Sequence, residues 1–348
     1  MPTLTFNKKS IINNIDYLNR LCDLRNLRLQ VVVKGVEHCA EVVGFLLQSA
    51  NIDNIAIANA ASNYGAGTTL IAQVGLEEYG NMIQHVSVSY HSNMHSIKKV
   101  AQEALKQSIT HKIIISVDMG DCREGIQPHT LVEFISAIKK LNNKNIKIEG
   151  VTTNYACCSG LMPTIENLQQ FAGVAKDASE KTGVHFNTVS VGGSAVLSIL
   201  ESEPLPAFIN EIRIGEALFL GNIPAINRKS KYLENTTVFE AEVVDVGFKE
   251  IPQSQDVFNN ALGERMQNRQ SSGRRKRVIF NFGSIHTTPE KLTPPPGFKL
   301  ISVNSNCTVY DITDAPTEYN IGDRVTFEQQ YAAFLTASHS INVKKIMY

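Results

Sequence analysis

Four groups of residues in this sequence have the types and spacing that chemistry requires. Lys34 follows directly after the apolar run VVV. The turn Gly192-Gly193-Ser194 separates an apolar run from a segment with helical spacing, and such a turn aims backbone N–H groups at an anion. Arg213 lies within the short run EIRI, where a guanidinium is unfavourable to bury unless acceptors meet it. The fourth group crowds charge into one turn, at Asp118, Asp121, Arg123 and Glu124.

A repeated pattern predicts the elements that position these residues. A short β-branched run, a polar turn and a segment with helical apolar spacing recur between residues 29 and 214. About eight such runs predict an α/β fold, a closed (β/α)8 barrel of the TIM type, with its active site at the carboxyl ends of the strands. The predicted strands are 29–33, 54–58, 69–74, 85–89, 112–117, 147–153, 186–191 and 211–214.

The pattern changes after about residue 226. Alternating runs at 237–246, 277–282, 300–303 and 308–312 predict strands. We therefore expect a barrel domain at 1–226 and a mostly antiparallel β domain at 227–348. A flexible insertion is predicted at about 249–276, which is rich in Gln, Asn, Ser and Arg. Its basic run RRKR at 274–277 is typical either of a phosphate or nucleic-acid contact or of a solvated loop end, and we assign it no function.

Composition excludes several partner classes. Lys and Arg together number 33, as do Asp and Glu, so we expect neither nucleic acid nor a membrane surface as partner. The absence of a signal-peptide pattern and of an apolar stretch of membrane length predicts a cytoplasmic protein. The six cysteines show no C-x-x-C spacing, which favours reduced thiols over a zinc site or disulfides.

The predicted strand ends bring the chemical residues to one barrel mouth. Lys34 follows the first strand, Asn154 ends the sixth, and Arg213 lies in the eighth. A lysine, a phosphate-type turn and a strand arginine together indicate a pyridoxal phosphate site, with a Schiff base to the lysine and a contact from the arginine to the pyridine nitrogen. Two alternatives stay open. Lys34 can extend to solvent, and a sugar-phosphate isomerase or aldolase fits the same residues.

The order of five motifs carries a family resemblance. VVVKG, VDMGDCREGI, GVTTNYACC, VSVGGSAVLSIL and NEIRIGEALFLG, followed by a β domain, resemble the pyridoxal phosphate-dependent alanine racemase family of fold type III, and within it the ornithine racemase branch. The resemblance covers nearly the whole chain. It implies a pyridoxal phosphate cofactor, a homodimer with shared active sites, and racemisation through an external aldimine with one acid-base group on each face of Cα.

The resemblance also implies residue roles. Lys34 would bind the cofactor and serve one face of Cα, and Arg213 would hydrogen-bond the pyridine nitrogen. Because arginine keeps its proton, that nitrogen stays unprotonated, which favours racemisation over transamination. The other cofactor-binding residues would be Arg123, Asn154, Gly193, Ser194, Gly215, Glu216 and, near the end of the chain, His339 or Ser340.

The second acid-base group departs from the family pattern. Alanine racemases use a tyrosine from the β domain of the partner subunit, and the corresponding stretch FNFGSIHTT has Ser284 at that position. His286 is our first candidate, because an unperturbed histidine pKa near 6.5 suits proton transfer, and Cys307 is the second. An exposed loop histidine is the alternative role for His286. Many relatives have an aspartate where Asn306 stands, so Asn306 is a candidate substrate contact.

The substrate and the reaction class leave alternatives open. A basic amino acid such as ornithine or lysine needs acidic groups at the end of its pocket, which Asp118, Asp121 or Glu124 can supply. The same acids can instead pair with Arg123 or cap a helix. Competing hypotheses are a carrier of pyridoxal phosphate in its homeostasis, a decarboxylase or aldolase that uses the same cofactor, and a metal-assisted aldolase. The β domain argues against a bare-barrel carrier, and we expect no metal.

Overall fold

Two compact units make up the structure, a computed structural model that describes residues 1–49, 52, 54–65, 67–224, 226, 228–251, 263 and 273–348. One unit is Lys9–Asn235, and the other combines Met1–Lys8 with Thr236–Tyr348. These units differ from the expected ranges 1–226 and 227–348 at both ends of the barrel domain. The first residues belong to the C-terminal unit because strand β1 (Thr3–Phe6) pairs with two strands there, a long-range pairing that local sequence does not reveal.

The Lys9–Asn235 unit is built around a closed barrel of eight parallel strands, which confirms the predicted fold. Each strand pairs with the next, and the last strand closes on the first with Ile214 opposite Val31. Every predicted strand overlaps an observed one. The strands are β2 (Arg28–Val32), β3 (Ile55–Ile57), β4 (Thr68–Leu70), β5 (Val88–His91), β6 (His111–Ser116), β7 (Ile146–Asn154), β8 (Thr188–Gly192) and β9 (Glu211–Ile214).

Helices alternate with these strands, except that the described residues between β3 and β4 form none, because apolar residues recur every three or four positions in the other connections. In the sixth helix, Thr164 forms a capping box with Asn167 at the start, and Gly183 ends the helix in the left-handed conformation. Among the described residues, no helix has the length and apolar character needed to cross a membrane. The helices are α1 (Lys8–Leu24), α2 (Ala40–Ser49), α3 (Tyr79–Met82), α4 (Met94–Lys106), α5 (Leu131–Lys140), α6 (Ile165–Thr182), α7 (Leu197–Leu200) and α8 (Glu216–Leu220), and a short pair of strands follows, β10 (Asn222–Ile223) and β11 (Arg228–Lys229).

The C-terminal unit contains an eight-stranded sheet whose pairs are antiparallel except for one. Its hydrogen-bonded neighbours follow the order β14 (Leu292–Thr293), β17 (Arg324–Gln329), β12 (Thr237–Ile251), β13 (Gly273–Phe280), β16 (Thr308–Asp311) and β15 (Lys299–Val303), and β1 pairs with both β12 and β18 (Lys344–Met347). The sequence analysis did not predict the helix α9 (Tyr331–His339), because three of its four buried residues, Ala333, Ala337 and Ser338, are small and give a weak apolar signal.

The prediction of a flexible insertion at 249–276 is wrong at its two ends. β12 continues to Ile251 and β13 begins at Gly273, with Lys249 opposite Arg275 in an antiparallel pair. The basic run 274–277 is therefore strand, and the guanidinium carbon of Arg274 lies 4.2 Å from the ring centre of Phe248. Apart from Gly263, the rest of the predicted insertion lies outside the described residues.

Two buried histidines form a hydrogen-bonded network in the barrel unit. Oγ of Ser89 lies 2.7 Å from Nε2 of His91 and 2.8 Å from Nε2 of His111. Nδ1 of His91 lies 2.8 Å from Oγ of Ser96. Burial, helped by the neighbouring His111, lowers the pKa of His91 to about 3, and burial lowers the pKa of His111 to about 4. Both rings are therefore neutral in the folded protein at neutral pH.

Acid is expected to destabilise the fold through this pair. Each histidine has a pKa near 6.5 in the unfolded chain but only about 3 to 4 in the folded one. Between pH 4 and pH 6.5 the unfolded state therefore binds more protons than the folded state, and acid favours unfolding. The free energy of unfolding should fall by about 4 kcal/mol between pH 7 and pH 5, measured by urea unfolding of the apoprotein. His91→Gln should show a shallower pH dependence, whereas the exposed His129→Gln should keep the full slope. Equal slopes in both variants would contradict this assignment.

Candidate active site

Lys34 lies in the turn that follows β2, and a neighbouring strand holds this turn in place. Oε2 of Glu37 accepts the backbone N–H of Ala58 at 2.9 Å, and Oε1 accepts that of Asn59 at 2.9 Å. The hydroxyl of Tyr64 donates to the carbonyl oxygen of Glu37. The Glu37 side chain is buried, so it anchors the lysine turn to the end of β3. Sequence reasoning missed Glu37, and its signal was an acidic residue directly after the apolar segment that contains Lys34.

Removing the Glu37 carboxylate should loosen the lysine turn. We expect Glu37→Ala to lower the free energy of unfolding by about 2 kcal/mol, because two backbone N–H groups lose their acceptor. Urea unfolding of the apoprotein measures this loss, and the exposed Glu77→Ala is the matched control. Equal stability of the two variants would show that Glu37 does not anchor the turn.

Arg213 is buried in β9, and several acceptors surround its guanidinium. Nη1 donates to Oγ of Ser190 at 2.9 Å and to Oγ1 of Thr152, and Nη2 donates to the carbonyl oxygen of Thr153 at 3.0 Å. The guanidinium carbon lies 5.2 Å from the ring centre of Tyr90, within cation–π range. These partners supply the acceptors that a strand arginine needs. Sequence reasoning did not identify them, although polar residues within apolar runs, as in SVSY and GVTTN, were their signal.

The Gly192-Gly193-Ser194 turn joins β8 to a short 3-10 helix, Ser194–Val196, that continues into α7. Gly193 has φ +96°, a conformation that favours glycine. Oγ of Ser194 accepts the backbone N–H of Ala217 at 3.1 Å and of Gly215 at 3.4 Å. The structure therefore brings together the turns after β8 and β9, which hold the residues that the resemblance placed at the phosphate.

Asp121 joins the charged turn after β6 to the end of β7. Its Oδ1 accepts the backbone N–H groups of Cys157 at 2.8 Å and Cys158 at 2.9 Å, and Asn154 donates to Oδ2 at 3.2 Å. Burial opposes ionisation of Asp121, but these hydrogen bonds outweigh it and lower the pKa of the carboxyl. The carboxylate thus ties the two loops together.

The other two acids of this turn also have local partners. Oδ1 of Asp118 accepts the backbone N–H of Gly120 at 2.9 Å and of Cys122 at 3.1 Å, so it caps the turn. Arg123 and Glu124 form a two-pronged ion pair through Nε and Nη2. Of the alternative in which these acids pair with Arg123 or cap the following helix, the structure shows the pair between Arg123 and Glu124, whereas Asp118 and Asp121 accept N–H groups of turns.

His286 lies in the C-terminal unit and is buried, so the alternative role as an exposed loop histidine is wrong. The backbone N–H of Gly283 donates to its Nδ1 at 3.0 Å, which leaves the proton of the neutral ring on Nε2. Burial lowers the pKa of this imidazole. The neutral ring can therefore donate from Nε2 at physiological pH.

The other C-terminal candidates occupy two further segments of the same unit. Ser284 is exposed, and its N–H donates to the carbonyl oxygen of Asn304 at 3.0 Å, next to the hairpin with Asn306 and Cys307. Nδ1 of His339 donates to the carbonyl oxygen of Leu335 at 2.8 Å within α9. Within the described ranges, no group of three or more His, Cys, Asp and Glu side chains could hold a metal ion.

Comparison with known proteins identifies the family. The model of the alanine racemase N-terminal domain matches residues 6–223. The chain belongs to the alanine racemase family. It is 27% identical to an ornithine racemase of Acetoanaerobium sticklandii, over 99% of each chain. It is 29% identical to a lysine racemase of Thermotoga maritima, over 99% of this chain and 98% of the relative.

Solved alanine racemase structures share the fold of this family member. The enzyme of Streptomyces lavendulae aligns with a TM-score of 0.76 at 14% identity, covering 100% of this chain and 97% of the other. The enzyme of Bartonella henselae, with covalently bound pyridoxal phosphate, aligns with a TM-score of 0.70 at 14% identity, covering 100% and 99%. At these identities the likeness establishes the fold alone.

Proposed function

We propose that this member of the alanine racemase family racemises a basic amino acid with pyridoxal phosphate and uses Lys34 as the cofactor-binding lysine. The observation that carries the proposal is the convergence of the Lys34 turn, the Ser194 turn and Arg213 at the carboxyl ends of adjoining barrel strands. The broader conclusion, a pyridoxal phosphate-dependent amino-acid racemase, rests on the family match and on full-length relatives that are ornithine and lysine racemases.

The donor set fits the cofactor. Pyridoxal phosphate has three groups that a protein must bind. Its aldehyde needs an amine, its phosphate needs several hydrogen-bond donors, and its pyridine nitrogen needs one hydrogen-bond partner. Lys34 supplies the amine, the turn at Gly193 and Ser194 supplies N–H and hydroxyl donors, and Arg213 supplies the guanidinium. A Cβ on Gly192 would lie 1.9 Å from Nη2 of Arg213, so the glycine leaves the space that this arginine occupies.

Each barrel residue has a defined task in this proposal. The cofactor supplies an electron sink that makes the Cα proton of a bound amino acid removable. Lys34 holds the cofactor and moves a proton on one face of Cα. Arg213 is held by Ser190 and Thr152 and donates to the pyridine nitrogen without giving up its proton. Arg123 orients the substrate carboxylate.

The second face of Cα needs an acid-base group of its own. Our first candidate for this role is His286, with Cys307 as the alternative. In the neutral ring Nε2 carries the proton and can deliver it to Cα, and removal of a Cα proton requires Nε2 to be unprotonated. The family pattern takes this group from a second subunit, so we propose a homodimer, which light scattering would test. Replacing the second group should leave Cα exchange in deuterated water for only one enantiomer. The variants His286→Asn and Cys307→Ala separate the two candidates. If both variants still exchange the Cα proton of both enantiomers, neither residue is the second acid-base group.

The charged turn after β6 is the proposed binding site for the basic side chain. Asp118 is the better candidate, because its hydrogen bonds to backbone N–H groups involve Oδ1, whereas Asp121 and Glu124 accept hydrogen bonds on both carboxylate oxygens. Arg123 would need to share Glu124 with the substrate. Asp118→Asn should therefore weaken ornithine binding more than alanine binding.

An exchange assay tests the function directly. Protein loaded with pyridoxal phosphate is incubated with L-ornithine, L-lysine and L-alanine in deuterated water, and both enantiomers are quantified by chiral chromatography and mass spectrometry. We expect deuterium at Cα and both enantiomers with ornithine or lysine, and much less with alanine. If the protein shows the absorption band of bound pyridoxal phosphate but exchanges the Cα proton of no amino acid, a carrier of this cofactor is favoured. If the product is not an amino-acid enantiomer, the decarboxylase or aldolase is favoured.

A further inference from the structure

Glu216 lies at the barrel mouth beside Lys34, and the proposed function gives its side chain no task. β2 and β9 are paired neighbours, so the turns that carry Lys34 and Glu216 leave the barrel side by side. These turns are in close contact, because a Cβ on Gly215 would lie 3.1 Å from the carbonyl oxygen of Val32. The two side chains therefore originate from adjoining stretches of backbone.

The backbone on each side of Glu216 is held in place. Oγ of Ser194 accepts the N–H groups of Gly215 at 3.4 Å and Ala217 at 3.1 Å. The Glu216 side chain is partly buried, and Asn222 hydrogen-bonds to its carboxyl. The positive charge of Lys34, in the adjoining turn, lowers the pKa of this carboxyl. The carboxyl is thus fixed within electrostatic reach of Lys34.

The acid-base properties of Glu216 suit an exchange of protons with a lysine. Burial raises the pKa of the Glu216 carboxyl to about 7, although the charge of Lys34 and the hydrogen bond from Asn222 act in the opposite direction. A carboxyl with this pKa takes up and releases a proton near neutral pH. A lysine ammonium must lose a proton before its nitrogen can bond to a carbonyl carbon.

We propose that Glu216 is a positioning residue for Lys34, whose carboxylate holds the Lys34 ammonium and accepts its proton when the lysine bonds to a carbonyl. One N–H bond of Nζ breaks and leaves its electron pair on nitrogen, and an O–H bond forms on Glu216. Both groups become neutral in this step. The inference rests on the proposed function, in which Lys34 carries pyridoxal phosphate.

The pairing is tested in the apoprotein by NMR of carboxyl groups labelled with carbon-13 at glutamate. The Glu216 resonance is identified by its loss in Glu216→Gln, and its titration midpoint should lie near pH 7. In Lys34→Met the midpoint should rise by about one pH unit, because the attracting charge is lost. Lys34→Arg, which keeps the charge, should show a smaller change. An unchanged midpoint in Lys34→Met overturns the pairing.

The proton transfer is tested by the rate at which the apoprotein captures pyridoxal phosphate, followed by absorbance. Glu216→Gln should slow capture by about tenfold, and Glu216→Asp should recover part of the rate. Glu203→Gln, at an exposed position after α7, removes the same charge and should leave the rate unchanged. Equal rates in Glu216→Gln and the wild type overturn the proton-accepting role. If the wild type captures no cofactor while Lys34→Met still moves the Glu216 midpoint, the proposed function fails and the pairing stands.

Discussion

Lys34→Ala is expected to abolish the covalent link to pyridoxal phosphate and to lower the racemisation rate by about 10⁴-fold. The variant lacks both the amine that binds the cofactor and the proton carrier for one face of Cα, and such acid-base groups contribute up to about 10⁴-fold. The absorption spectrum of the loaded protein reports the first loss, and chiral chromatography of the reaction reports the second. The cofactor should still bind without a covalent bond, because the Ser194 turn is unchanged.

Two comparisons separate chemistry from folding in this prediction. Lys98→Ala removes an exposed lysine of α4 and should retain the cofactor band and full activity. A small primary amine added to Lys34→Ala should restore part of the exchange on one face of Cα, because the cavity left by the lysine can admit it. A Lys34→Ala protein that keeps both the band and the rate would refute the assignment of this residue.

Gly192→Ala is expected to displace Arg213 and thereby damage both stability and activity. The added Cβ would lie 1.9 Å from Nη2 and 2.6 Å from Cζ of Arg213, and 2.5 Å from Oδ1 of Asn154. The arginine must move away from its bonds to Ser190 and Thr153 to relieve this contact. We expect the free energy of unfolding to fall by about 4 kcal/mol and kcat/KM to fall by about 100-fold.

Urea unfolding and steady-state kinetics measure the two effects of Gly192→Ala. Gly173→Ala is the matched control, since it adds a Cβ on the exposed face of α6 with nothing within 4 Å and should stabilise the helix by about 1 kcal/mol. Arg213→Ala combined with Gly192→Ala should be less destabilised than the sum of the single changes, because removal of the guanidinium also removes the clash. If the losses of stability in the two single variants simply add in the double variant, the strain in Gly192→Ala does not come from a contact with Arg213.

Local patterns were sufficient to predict the barrel. Parallel strands buried on both faces read as β-branched runs such as VSV in β8, and helices such as α6 show apolar residues at three- and four-residue spacing. Alternating apolar and polar residues also predicted the antiparallel strands β12 and β16. By contrast, β1 lies in the C-terminal unit through pairing with β12 and β18, and no local pattern encodes a partner that lies more than 200 residues away.

The sequence by itself determined the family, the eight-stranded barrel and the types of residue at its mouth, because these depend on local periodicity and on motif order. Only the tertiary structure decided which groups meet. The Asp121 carboxylate accepts two backbone N–H groups, Arg123 pairs with Glu124, Glu37 anchors the lysine turn, and the turn that carries Glu216 adjoins the turn that carries Lys34. Hydrogen bonds and charge interactions act over a few ångströms between segments distant in sequence, so their partners exist only once the chain has folded.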